Sequence, residues 1–103
     1  MPEIGVAIVR ITDEAFPGFV ECKLVDAHGQ EHTFVEKAPV VSDEQLSARS
    51  AFPVSGRIAC EIESELQDET GRVLLQVDTA RPYGIESTSG CTKFELLPIQ
   101  VAR

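Results

Sequence analysis

Few residues in this chain could do chemistry, and one segment gathers several of them. Gly84-Ile-Glu-Ser-Thr-Ser-Gly90-Cys-Thr-Lys93 places two glycines around a hydroxyl-rich turn, with a thiol, a hydroxyl and a lysine beyond. A phosphate cradle needs four residues between its glycines, a Gly-Lys-Ser/Thr ending, a strand before it and a helix after it. Here five residues separate Gly84 from Gly90, Lys93 stands three places past the second glycine, and the following Thr92–Ile99 stretch reads as strand. Glu86 would also add negative charge where phosphate must sit. The segment is therefore read as a polar connection. Gly84 and Gly90 supply backbone freedom, and Ser87, Thr88 and Ser89 can satisfy turn amides.

Cys91, at the edge of that connection, is a nucleophile only if a base or cation lowers its pKa. The histidines available for this are His28 and His32, far away in sequence. Cys22 and Cys60 fall at alternating apolar positions and read as small core residues, and the alternative to a nucleophilic Cys91 is that it joins them. No catalytic residue is assigned. Metal chemistry has no Cys-x-x-Cys pair, no His-Glu-x-x-His and no Asp-rich loop with a central glycine to build on, so no metal or cofactor is expected.

The strongest surface feature is acidic. Glu61, Glu63 and Glu65 alternate along one strand pattern, and Asp68 and Glu69 follow at a turn. Like charges on one strand face repel unless cations lie opposite, and Arg72, Gln76 and Lys23 are the candidates to offset them. The row reads either as a solvated face that discourages aggregation or as a patch for a basic protein partner. Arg81 and Tyr83, with Glu86 beyond, are candidate contact residues, since Arg and Tyr anchor interfaces well. In the alternative, Arg81, Tyr83, Glu86 and Ser87 form the polar mouth of a small-molecule site.

The elements that must position these residues read as strands. Glu3–Thr12 is a near-continuous apolar run, the pattern of a strand covered on both faces. Phe19–Asp26 alternates, Ala27-His-Gly-Gln30 turns, and Glu31–Lys37 returns. Arg57–Leu66 alternates, Asp68-Glu-Thr-Gly71 turns, and Val73–Asp78 returns. Thr92–Val101 is the last strand, with Pro98 pointing to an edge or bulge. Ser42-Asp-Glu-Gln45 has the form of a capping box and predicts one short helix running through Leu46 and Ala48 to a stop before Pro53. Ala15-Phe-Pro17 and Ala51-Phe-Pro53 each precede a strand, a glycine-containing turn and a second strand, a faint internal echo. About six strands and one helix predict a mainly β, single-domain chain over residues 1–103, a small antiparallel barrel or sandwich. In architecture this is similar to the small barrels that accompany translation GTPases and flavin reductases.

The 103 residues carry seventeen acidic and nine basic side chains, a formal net charge of −8. Both halves are acidic, so the charge belongs to the whole surface. Nucleic-acid affinity rests on Lys and Arg displacing counterions, and this chain is not expected to bind it. The start, Met-Pro-Glu-Ile, lacks the cationic stretch of a signal peptide, and no apolar run approaches a membrane span. An odd cysteine count with wide gaps does not make a disulfide framework, and a reducing cytoplasm suits it. The oligomeric state is left open.

The segments Gly18-Phe-Val-Glu-Cys22, Asp26–Phe34, Gly56-Arg-Ile-Ala-Cys-Glu61 and Pro82-Tyr-Gly-Ile-Glu-Ser87 resemble those of small acidic all-β bacterial proteins. Some proteins of that general kind are immunity proteins, which bind secreted toxins through acidic surfaces. By size and charge, the resemblance implies a non-catalytic interaction module for a basic partner.

Overall fold

A computed structural model describes all residues from Met1 to Arg103. The chain is mainly β, with two antiparallel sheets and one short helix. The first sheet contains β1 (Glu3–Asp13), β2 (Phe19–Val25), β3 (Glu31–Lys37) and β4 (Val54–Ala59), in the order β3-β2-β1-β4. The second contains β5 (Glu61–Gln67), β6 (Val73–Asp78) and β7 (Lys93–Leu96), in the order β5-β6-β7. A two-residue β8 (Val101–Ala102) pairs with the start of β1, placing Glu3 opposite Ala102. Neither sheet closes on itself into a barrel.

The chain passes between the sheets at two corners. Cys60 separates β4 from β5, and its N–H donates to Pro2 O at 3.0 Å. Pro98 opens a 3₁₀ turn over Pro98–Gln100 that carries the chain from β7 to β8. Gln100 holds this corner: its Oε1 accepts from Leu97 N–H at 2.9 Å and its Nε2 donates to Val25 O at 2.7 Å. The expected last strand, Thr92–Val101, is therefore two short ones divided at Pro98, which has no N–H for a ladder. Likewise Arg57–Leu66 is two strands in different sheets.

Sixteen buried residues form one cluster, drawn from Ile4, Val6 and Ile8 of β1, Val20, Cys22 and Leu24 of β2, and Val77, Phe94 and Leu96 of the second sheet, among others. Phe34 meets Phe94 edge to face across the sheets, with ring centroids 5.7 Å apart. β1 is buried on alternate residues rather than on both faces. Its other face carries Gly5, which is exposed, and Ala7, which is half-buried, residues too small to require a second cover. The strand therefore needs no barrel wall over its second face.

The short helix α1 spans Ala38–Val41, upstream of the expected position, with Pro39 in its first turn. Ser42 is extended (φ −152°, ψ 147°), and its Oγ accepts from Glu44 N–H at 3.0 Å. A serine bonded two residues ahead builds a local turn, which competes with the helix that the same letters suggest. Gly56, opposite Val6 in the β1–β4 ladder, is a close-approach glycine. A Cβ there would stand 2.8 Å from Ile8 Cδ1 and 2.9 Å from Val41 O.

The peptide bonds Phe16–Pro17, Phe52–Pro53 and Arg81–Pro82 are cis. The internal echo extends to hydrogen bonding. The turns that follow, Asp26–Gly29 and Asp68–Gly71, share one set of bonds. In each, the aspartate N–H donates to the carbonyl four residues on (2.9 and 3.0 Å), and the glycine N–H donates back to the aspartate carbonyl (3.1 and 3.0 Å). In each, the aspartate Oδ1 accepts the N–H two residues on, from His28 and Thr70, and four residues on, from Gln30 and Arg72. Gly29 and Gly71 have φ of 81° and 83°, the left-handed region this three-residue hairpin loop needs.

Candidate functional site

β5 is the outer strand of its sheet, with β6 on one side and no strand on the other. Glu61, Glu63 and Glu65 are all exposed along it. They do not form one uninterrupted row, because the β5–β6 register shifts between Ile62 and Ser64. Glu61 lies opposite Asp78 and Glu65 opposite Leu75, so the residue inserted between them turns the two glutamates to different faces. The cations that offset the first two are Arg81, 3.9 Å from Glu61, and Lys93, 3.4 Å from Glu63. Arg72 instead pairs with Asp68 at 2.9 Å, and Lys23 with Glu21 and Glu31 at 3.5 Å each. A bulge and charged side chains are the devices that keep an unpaired strand from pairing with another chain.

The segment from Asp78 to Lys93 is organised by a residue that the sequence reading passed over. Thr79 is fully buried. Its N–H donates to Thr92 O at 2.8 Å, its Oγ1 to Ile85 O at 2.6 Å, and its carbonyl accepts Ile85 N–H at 3.0 Å. These bonds cinch the segment's base and drive Ile85 into the core. A threonine closing an alternating apolar strand before a Gly-rich stretch is the only sequence signal for this. Ser87 is also buried, and it builds the tip: its Oγ accepts Cys91 N–H at 3.0 Å and its N–H donates to Cys91 O at 2.8 Å. Thr88 N–H then docks the tip on β3 through Thr33 O at 2.8 Å.

The four residues of the expected polar mouth are divided by this arrangement. Arg81 lies beside Glu61 over a shallow hollow with Cys60, Ile62 and Met1. Tyr83, 65% exposed, faces a different concavity of about 510 Å³ with Ile85, Glu36, Lys37, Arg57 and Val40 among its walls. Burial pushes the Glu36 carboxyl up from its usual range, with Lys37 pulling the other way. Arg57 is held on its flanks by Asp43 at 2.7 Å and Glu3 at 2.8 Å. Glu86 is exposed and Ser87 is enclosed in its turn.

Neither histidine engages a nucleophile. His28 Nε2 lies 2.7 Å from Glu95 Oε1, and His32 Nε2 lies 2.8 Å from Asp26 Oδ2. His32 also packs edge to face on Phe94 at 4.8 Å. With Ala27 N–H bonded to Glu95 O at 2.9 Å, these contacts tie the first hairpin to β7. Burial opposes ionisation of Asp26, but hydrogen bonds from His32, Gln30 and His28 prevail and hold its carboxyl below the usual range. Cys91 Sγ is exposed, with Ser89 Oγ at 3.8 Å. Burial raises the Cys22 and Cys60 thiols to about 12 and about 11. Thiols held that high are core residues, as their alternating positions predict.

Nine of the seventeen carboxylates lie within 4.0 Å of a basic group, which leaves eight without one: Asp13, Glu14, Glu36, Glu44, Glu65, Glu69, Asp78 and Glu86. Compared with protein-family models, curated proteins and solved structures, the chain matches none of them.

Proposed function

We propose that this protein is a non-catalytic interaction module that binds a basic protein partner through its acidic surface. The observation that carries this reading is the set of eight carboxylates with no basic group within 4.0 Å, on a chain of net charge −8. Unneutralised carboxylates raise a negative potential that steers a basic partner into encounter and disfavours acidic competitors. Glu65 and Glu86 are among them, and Glu61, Glu63, Arg81 and Tyr83 are the further candidate contact residues. An immunity-type protein bound to a basic toxin is its most concrete form, and a cytoplasmic location suits the reduced cysteines.

The test is capture of the partner from the native host, followed by affinity measurement against salt. Binding should weaken steeply with salt and fall at least about tenfold when Glu61, Glu63 and Glu65 are changed together to Lys. An affinity indifferent to both would sink the proposal. A second reading, a small-molecule site, is favoured by the concavity of about 510 Å³ beside Tyr83, a size suited to small ligands. It predicts a ligand retained in native mass spectrometry and lost in Tyr83→Ala.

A further inference from the structure

Phe16 is the most exposed large apolar side chain in the protein, 98% accessible at the tip of the β1–β2 connection. Its backbone is not free to fold the ring away. Gly18 N–H closes the turn on Ala15 O at 2.7 Å, and Ala15 N–H is held by Asp13 Oδ1 at 2.9 Å. Ala38 N–H of α1 fastens the turn's far side through Gly18 O at 2.9 Å. Behind the ring lies a concavity of about 340 Å³ with Ile11, Val20, Ala38 and Leu46 in its walls. That volume sits at the small end of ligand pockets and matches an inserted side chain better than a whole cofactor. The rim is one-signed: Asp13 and Glu14 line it, no Lys or Arg does, and neither carboxylate has a cation within 4.0 Å.

We propose that this groove is the anchor point for the basic partner: an apolar side chain of the partner, flanked by Lys or Arg, inserts beside Phe16 while its cations meet Asp13 and Glu14. The inference rests on the reading of a basic protein partner given above and names where its binding energy is concentrated. An aromatic held out in water by hydrogen bonds to its own turn keeps its conformational cost low on binding, the property of interface anchors. Charge decides between occupants. A second copy of this chain would bring the same −8 charge and the same two carboxylates to the groove, whereas a cationic segment is attracted by both.

The experiment selects peptides from an unbiased displayed library on the intact protein and uses the enriched sequences as probes. The expected winners place Lys or Arg beside one large apolar residue. On titration they should shift the amide resonances of Gly18, Ala38 and Leu46. Phe16→Ala should weaken them at least about tenfold, the loss typical of an anchor residue. Asp13→Asn with Glu14→Gln should flatten the salt dependence. Phe16 is exposed, so an unchanged melting temperature in Phe16→Ala certifies that the fold is intact. Winners without basic residues, binding indifferent to Phe16→Ala, or no enrichment at all would overturn the assignment. Basic winners whose shifts map to β5, and which are lost with the Glu61, Glu63 and Glu65 reversal, overturn the groove but leave the interaction module standing. Winners that resemble this chain's own segments, together with concentration-dependent dimerisation, would assign the groove to a second copy instead.

Discussion

Gly56→Ala tests how closely the first sheet is packed. The added Cβ would meet Ile8 Cδ1 at 2.8 Å, Ile8 Cγ1 at 2.9 Å and Val41 O at 2.9 Å, all inside normal contact. The Ile8 atoms can yield only within a filled core, since Ile8 is fully buried. The Val41 carbonyl is backbone at the end of α1 and yields less. Overpacking of this kind costs about 1–3 kcal/mol. Replacing Gly by Ala also restricts the unfolded chain, which returns about 0.4–1 kcal/mol. With a backbone oxygen among the atoms met, the upper part of that cost applies, about 2–3 kcal/mol, so the net expectation is a loss of about 1–2.5 kcal/mol, or about 4–20 °C in melting temperature for a chain of this size. Chemical and thermal denaturation read it directly. Ile8→Val removes one of the three clashing atoms and alone should cost about 0.5–1.5 kcal/mol. In the double variant the two losses should sum to less than their separate values, because one contact has been relieved. Rescue should be incomplete because Val41 O remains. Gly56→Ala at wild-type stability, or strict additivity with Ile8→Val, would refute the close approach.

Asp68 accepts hydrogen bonds from Thr70 and Arg72, which hold its carboxyl down at about 2, against an ordinary value of 3.8. The unfolded chain thus binds that proton more readily. Its stabilising effect is full above about pH 4 and is lost as pH falls towards about 2. The melting-temperature gap between wild type and Asp68→Asn should narrow across that window, and a pH-independent gap would count against the assignment. In a thiol titration with a disulfide reagent near pH 8, Cys91 should react in the folded protein, while Cys22 and Cys60 should react only after denaturation. Fast labelling of all three would contradict their burial. Arg57→Ala loses both Asp43 and Glu3, yet these pairs are open to solvent and screened by it, so the denaturation midpoint should barely move.

The hairpins and the buried cysteines were legible because each depends on local letters: a period of two, and an aspartate three residues before a glycine. What the letters could not carry is which sheet a strand joins. Ile58, Cys60 and Ile62 continue one alternation, but the backbone changes partners at Cys60, and alternation is blind to partners. The bulge between Ile62 and Ser64 is invisible for the same reason. It separates glutamates that the pattern places on one face. Ser42 shows a different limit, since a hydroxyl able to cap a helix can equally close a two-residue turn. Of the candidate contacts, Arg81 and Glu61 do come together, while Tyr83 and Ser87 part company because Thr79 cinches the segment that holds them. Phe16 stands out in the sequence only as one letter of the Ala-Phe-Pro echo. Whether an apolar residue at a turn is covered or left bare depends on distant chain.

The pairing of Glu3 with Ala102 sets the first and last strands side by side. Paired residues in an antiparallel ladder have Cα atoms about 5 Å apart, so a few linking residues could make the polypeptide a ring without moving a strand. Such a ring could then be reopened in the exposed stretch around Ser47–Ala51. Each arm would then keep its own Phe-Pro turn or Asp-x-x-Gly hairpin whole. A circular permutant built this way would ask whether the two echoing halves fold in either order.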